Sequence, residues 1–118
     1  MDKKSEDVAC EACSDTAQAA GEDQITNFAT SCPEWEIKTE LDIIFLTRTY
    51  LFPDFVQASA FAGKVGAIAE QANHHPRIII EYGKTRVDWW SHKIANIHPL
   101  DLRLAGDTEK LFKTNETK

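Results

Sequence analysis

Between Phe55 and Ala72 the apolar residues Phe55, Ala58, Phe61, Ala62, Val65, Ile68, Ala69 and Ala72 recur in steps of three and four, behind the helix entrance Pro53-Asp54. A helix with one long apolar stripe must bury that stripe against a second layer. Pro76 cannot continue it and pushes His75 toward extended geometry. Strand-like pairs lie on both sides. Upstream, Trp35-Glu36-Ile37-Lys38 alternates apolar and polar residues, and after the polar break Thr39-Glu40 the run Ile43 to Tyr50 is rich in β-branched and aromatic residues. Downstream, Arg77 to Tyr82 and Thr85 to His92 are joined around Gly83. A short helix with Ile25, Phe28 and Ala29 on one side follows the acidic turn Glu22-Asp23 and stops at Cys32-Pro33. Pro99 opens a last helix over Leu100, Leu104, Leu111 and Phe112, weakened at Gly106 by about 1 kcal/mol.

The order α-ββ-α-ββ-α predicts an α+β fold: a four-stranded antiparallel sheet with three helices on one face. At 118 residues and 13.3 kDa the chain has room for one core. In the last strand Thr85, Val87, Trp89 and Ser91 fall on the side expected to face the helices, and Arg86, Asp88, Trp90 and His92 on the other. A sheet edge or face carrying Ile, Leu and Trp seldom stays exposed, so at least a homodimer is expected, with a homotetramer as the alternative.

Net charge is −6, and the first 24 residues carry −5 of it. The nearly neutral body argues against nonspecific nucleic-acid binding. Residues 1–20 read as a flexible acidic tail and 21–118 as a single domain. No apolar run is long enough for a membrane span, and the N-terminus lacks the apolar stretch of a secretory signal, so a cytoplasmic location is expected. Cys10-Glu11-Ala12-Cys13 has the spacing of half a zinc site or of a redox pair, but no second CxxC accompanies it.

All four histidines, His74, His75, His92 and His98, fall within one quarter of the chain. A lone histidine would be read as a helix cap or surface group; an adjacent pair before a proline and a third closing a later strand point to a site. Zinc would require adjacent residues to share one ion, with no Cys, Asp or Glu spaced to complete the shell, so no metal is expected. Ser91 falls on the core face, and no nucleophile-elbow pattern occurs. Histidine acid/base chemistry is the remaining reading.

Glu70-Gln71-Ala72-Asn73-His74-His75-Pro76, Tyr82, Ser91-His92 and Asp101 together resemble the signature of the pterin-4a-carbinolamine dehydratases. Trp35, Phe52-Pro53-Asp54-Phe55, Gly83-Lys84, Trp89-Trp90-Ser91-His92-Lys93-Ile94 and Ile97-His98 are similar to the bacterial-type branch, over roughly residues 22–112. The resemblance implies dehydration of 4a-hydroxytetrahydropterin to quinonoid dihydropterin, which recycles the pterin of aromatic amino acid hydroxylases, with no cofactor. It implies a catalytic set of His74, His75 and His92, in which His74 and His92 form the acid/base pair and His75 holds substrate. Pro76, Ser91, Lys93 and Ile94 join these histidines as pterin contacts, and Glu70, Asp101 and Trp90 support the site. Two alternatives stay open: a non-catalytic dimerisation cofactor for a transcription factor on the same fold, and a dehydratase-like protein acting on another pterin such as molybdopterin. Members of the family form dimers or dimers of dimers.

Overall fold

A computed structural model describes residues 17–116. Cys10, Cys13 and most of the expected tail lie outside the described residues. Three helices, α1 (Glu22–Ser31), α2 (Phe55–Ala72) and α3 (Pro99–Glu116), accompany four strands, β1 (Glu36–Glu40), β2 (Ile43–Leu51), β3 (Arg77–Glu81) and β4 (Lys84–Trp89). The sheet is antiparallel throughout, in the order β1-β2-β4-β3. The chain therefore has the α+β architecture that its pattern predicts.

Most of the α2 stripe enters the core as expected, with Ala58, Phe61, Ala62, Val65 and Ala69 buried, while Phe55 at its start is exposed. Asp54 caps its start by accepting from the Gln57 N–H at 2.8 Å, and Asn73, in the left-handed region at φ 54°, closes its end. The Thr85 hydroxyl of β4 donates to the Ala58 carbonyl of α2 at 2.6 Å, fixing helix to sheet with no buried hydroxyl unpaired. Trp89 packs on the same side, its indole N–H donating to Thr108 of α3. Tyr50, Phe52, Phe61 and Phe112 form an aromatic cluster between β2 and the helices, with ring centroids 4.7 to 5.8 Å apart.

The first hairpin differs from the expected break at Thr39-Glu40. Those two residues pair in register with Ile44 and Ile43, and the chain reverses at Leu41-Asp42, both in the left-handed region (φ 51° and 65°). Two left-handed central residues match the right-handed twist of the flanking strands, and this settles the turn despite the unfavourable leucine. The second hairpin turns at Tyr82-Gly83 as expected, and its register places Arg77 opposite Asp88.

The last strand is shorter than expected, ending at Trp89 and not at His92. The Ser91 N–H donates to the Asn96 carbonyl at 2.9 Å, and the Ser91 carbonyl accepts from the Ile94 N–H at 3.2 Å. Both backbone groups that would have extended the ladder are thus engaged in a tight turn, and His92 leaves the sheet. At the N-terminal end, the Ala20 N–H donates to the Ile97 carbonyl at 2.7 Å, so hydrogen bonding to the body begins one residue before the expected domain start at 21.

The sheet face without helices is less apolar than expected. Glu36, Lys38, Thr47, Thr49, Arg86, Asp88, Arg77 and Glu81 share it, and Phe45 and Trp90 are buried beneath the arginines. Ile79 and Leu51 remain exposed there.

Candidate active site

The end of α2, the start of β3 and the turn after β4 meet at one corner of the sheet. The left-handed Asn73 reverses the chain, and the His74 N–H donates back to the Ala69 carbonyl at 3.1 Å. His74 is thereby directed inward, while His75, the next residue, faces solvent. Pro76 then admits β3. Adjacent histidines thus acquire different environments from a helix cap and a proline.

His74 is 3% exposed and its ring stacks on Trp89, with centroids 6.0 Å apart and planes 14° apart. Its Nε2 lies 2.6 Å from Asp101 Oδ1. Since a carboxylate only accepts, the imidazole donates from Nε2, and that bond sets its tautomer and orientation. Asp101 is fully buried; its Oδ2 accepts from the Ser91 hydroxyl at 2.7 Å and from the His98 N–H at 2.9 Å.

The His98 contact belongs to the start of α3. The Asp101 N–H donates to the His98 carbonyl, the Leu100 N–H donates to His98 Nδ1, and the Asp101 carboxylate accepts from the His98 N–H. This is a reciprocal cap with histidine at the cap position. It accounts for the fourth histidine as a structural residue.

His75 Nε2 lies 2.6 Å from Glu70 Oε1, with both side chains largely exposed. His92 is exposed and stacks face to face on Trp90, with centroids 4.8 Å and planes 12° apart. Asn73, His74, His75, His92 and Lys93 line one cleft of about 460 Å³, a volume in the range of small-molecule sites. Residues from two separate stretches thus converge on one concavity.

Among the sequence-predicted contacts, Lys93 lines the cleft with the three histidines, whereas Pro76 and Ile94 are half-buried beside it and not among its lining residues. Ser91 is buried against Asp101, has both backbone groups engaged in the turn and is not among the residues that line the cleft. Glu70, Asp101 and Trp90 each contact one of the three cleft histidines and none lines the cleft, an arrangement suited to support. Asn73 is the cleft residue to which sequence reasoning gave no role; its signal was an asparagine just after the last periodic residue of a helix. Among the described residues no three His, Cys, Asp or Glu side chains converge as metal ligands.

Residues 18–111 match the family model described as pterin 4 alpha carbinolamine dehydratase. A protein of Nitrosococcus oceani, provisionally named pterin-4-alpha-carbinolamine dehydratase, is 43% identical over 104 residues, covering 88% of this chain and 92% of the relative. A Syntrophotalea carbinolica protein with the same provisional name is 39% identical over 113 residues, covering 96% of this chain and all of the relative. In fold, the chain is similar to a transcriptional coactivator/pterin dehydratase from Brucella melitensis, with TM-score 0.68 and 21% identity over 80% of this chain and 98% of that one. The family match spans the sheet, the first two helices, the last helix as far as Leu111 and every residue of the histidine cleft, and on that ground this chain belongs to the pterin-4a-carbinolamine dehydratase family.

Proposed function

We propose that the protein dehydrates 4a-hydroxytetrahydropterin to quinonoid dihydropterin and water by histidine acid/base catalysis. The observation that carries this reading is the convergence of His74, His75 and His92 on a single cleft, with His74 held by a buried carboxylate. In the reaction the C4a–O bond breaks, the hydroxyl leaves as water after receiving a proton, N5 loses its proton, and a C4a=N5 double bond forms. An imidazole with a pKa near 6.5 can deliver or accept either proton close to neutral pH.

Asp101 holds the His74 ring in one orientation and prevents it from turning. His92 stands at the cleft without a side-chain hydrogen bond among the described residues, so both its ring nitrogens can face substrate. His75 and Lys93 line the outer part of the cleft and supply donors for the polar edge of a flat heterocycle. The pterin in this reading is one spent by an aromatic amino acid hydroxylase, and the working unit is a homo-oligomer.

Rapid-mixing assay with synthetic 4a-hydroxytetrahydropterin tests the proposal. The wild-type protein should accelerate loss of the substrate's carbinolamine absorbance, and His74→Ala and His92→Ala should each slow turnover by about 10² to 10⁴. Near wild-type turnover in either variant at saturating pterin would remove that residue from the mechanism.

A further inference from the structure

Carboxylates hold two of the three cleft histidines, Asp101 for His74 and Glu70 for His75. His92 has no such partner among the described residues; what it has is the face of Trp90. An exposed ring in a turn keeps one orientation only if the surface it stacks on is itself fixed. That surface also meets a charged residue of the helix-free sheet face. The Arg77 guanidinium lies 4.9 Å from the Trp90 ring centroid and 5.1 Å from that of Phe45, whose ring packs on Trp90 at 5.7 Å.

Arg77 is in turn anchored. Its Nε donates to Asp88 Oδ2 at 2.8 Å, and a looser pairing to Glu40 at 3.9 Å holds the outer end. Asp88 is fully buried, and its Oδ1 accepts from Arg86 Nε at 2.9 Å and from the Thr47 hydroxyl. A carboxylate with no solvent exposure is costly to desolvate and is tolerable only because its partners are close and hydrogen-bonded. Anchoring two guanidinium groups is a task that a hydrophobic residue at this position could not perform.

From this arrangement we infer that Arg77, anchored by Asp88, is a positioning residue for His92, acting through the Trp90 ring. The inference rests on the proposed dehydration for its kinetic consequence. Arg77 does not line the cleft, so its effect belongs to turnover and not to substrate affinity. The Trp90 ring thus takes two contacts, the Arg77 guanidinium over it and the His92 imidazole stacked on it, and both limit how it can turn.

The test combines kinetics with the ring signals of His92. Arg77→Gln leaves Asp88 its Arg86 and Thr47 partners, so no unpaired buried charge is created. It should lower kcat on the order of tenfold, as small misplacements of catalytic groups do, with KM within about twofold. That decrease should vanish in the His92→Ala background and persist in the His74→Ala background. Trp90→Phe should retain turnover, and Trp90→Leu should reproduce the Arg77→Gln loss.

In NMR spectra the His92 ring protons should carry the upfield shift of a stacked indole and lose it in Arg77→Gln. Multiplicative effects of Arg77→Gln and His92→Ala, or an unchanged His92 ring shift in Arg77→Gln, would overturn the inference. Should the wild-type protein not dehydrate the pterin, the proposed function fails, and the ring shift alone still decides whether Arg77 holds the stack.

Discussion

A carboxylate with no solvent exposure is tolerable only where its lone pairs are filled, and Asp101 fills them from three sources: an imidazole, a hydroxyl and a backbone N–H. Two of these are structural and one is chemical, so substitution can separate them. Asp101→Asn keeps an oxygen for Ser91 and the His98 N–H but turns an amide N–H₂ toward His74, which forces the opposite tautomer. We expect the α3 cap to survive and kcat to fall by at least about tenfold to a hundredfold; turnover read beside a thermal melt checks both halves. At His75 the expected outcome differs, because it is exposed and holds only Glu70. His75→Ala should raise KM with kcat little changed, as loss of uniform binding does. The Nε2 atoms of His74 and His75 are directed to separate carboxylates, so activity should persist in excess chelator. Loss on chelation with recovery on adding zinc would contradict the acid/base reading.

At the scale of elements, the hairpin between β1 and β2 is the place where sequence and structure fit each other least well. Leu41 is 94% exposed and left-handed, a conformation that costs an L-residue without a short polar side chain roughly 1 kcal/mol. Replacing Leu41-Asp42 by Asn-Gly, which the same turn prefers, should raise stability by roughly 0.5 to 1 kcal/mol in urea denaturation, with activity unchanged. The opposite holds at Gly83 (φ 74°), where an added Cβ would stand 3.0 Å from the Phe52 carbonyl oxygen. Gly83→Ala should cost about 1 to 3 kcal/mol in the same measurement. These two turns also show what could be read in the sequence. Gly83 announces its own conformation, and from it the register Glu81 to Lys84 and Arg77 to Asp88 follows by counting. Leu41-Asp42 carries no such mark, so the break was expected at the polar Thr39-Glu40. The histidine cluster, the long α2 stripe and the two sides of β4 as far as Trp89 were legible, because each depends on local spacing. The end of β4 was not, since a turn closed by Asn96 and Ile94 diverts the chain, and nothing in Trp90-Ser91-His92 distinguishes that from a continuing strand. The capping role of His98 and the Arg77–Asp88–Trp90 arrangement depend on contacts across elements that periodicity does not encode.

For the whole molecule, the surfaces without partners and the buried charges set the expected behaviour in solution. Leu51, Phe55, Val56, Ile79, Ile80 and Tyr82 are exposed on the sheet and at the start of α2, which favours the homo-oligomer; sedimentation of a 13.3 kDa species alone at micromolar concentration would contradict it. Inside, one carboxylate joins α3, β2 and the segment that precedes β1. Glu109 of α3 accepts from the Trp35 indole at 3.0 Å, from the Tyr50 hydroxyl at 2.6 Å and from Arg48 of β2 at 2.6 Å on both oxygens. Burial alone would push its carboxyl upward, but the bonds donated by Tyr50 and Arg48 outweigh this and hold it below its ordinary value of 4.5. Tyr50 moves the other way: burial and the adjacent Glu109 push its hydroxyl well above the ordinary value of 10. The signs follow from linkage. A depressed carboxyl contributes stability that is present above its unfolded pKa, so this share is lost as pH falls below about 4.5. A raised phenol contributes stability that is present below its unfolded pKa and lost as pH rises past about 10. The melting temperature should therefore form a plateau between these limits and fall on both sides. Glu109→Gln should lower the plateau by about 1 to 3 kcal/mol in denaturant titrations, since it takes from the half-buried Arg48 its close counter-charge and leaves only the looser pairing to Glu34 at 3.8 Å. The same substitution should flatten the acid limb, because no carboxyl at that position remains to be protonated; an acid limb as steep as that of the wild-type protein would mean that other carboxylates control acid unfolding.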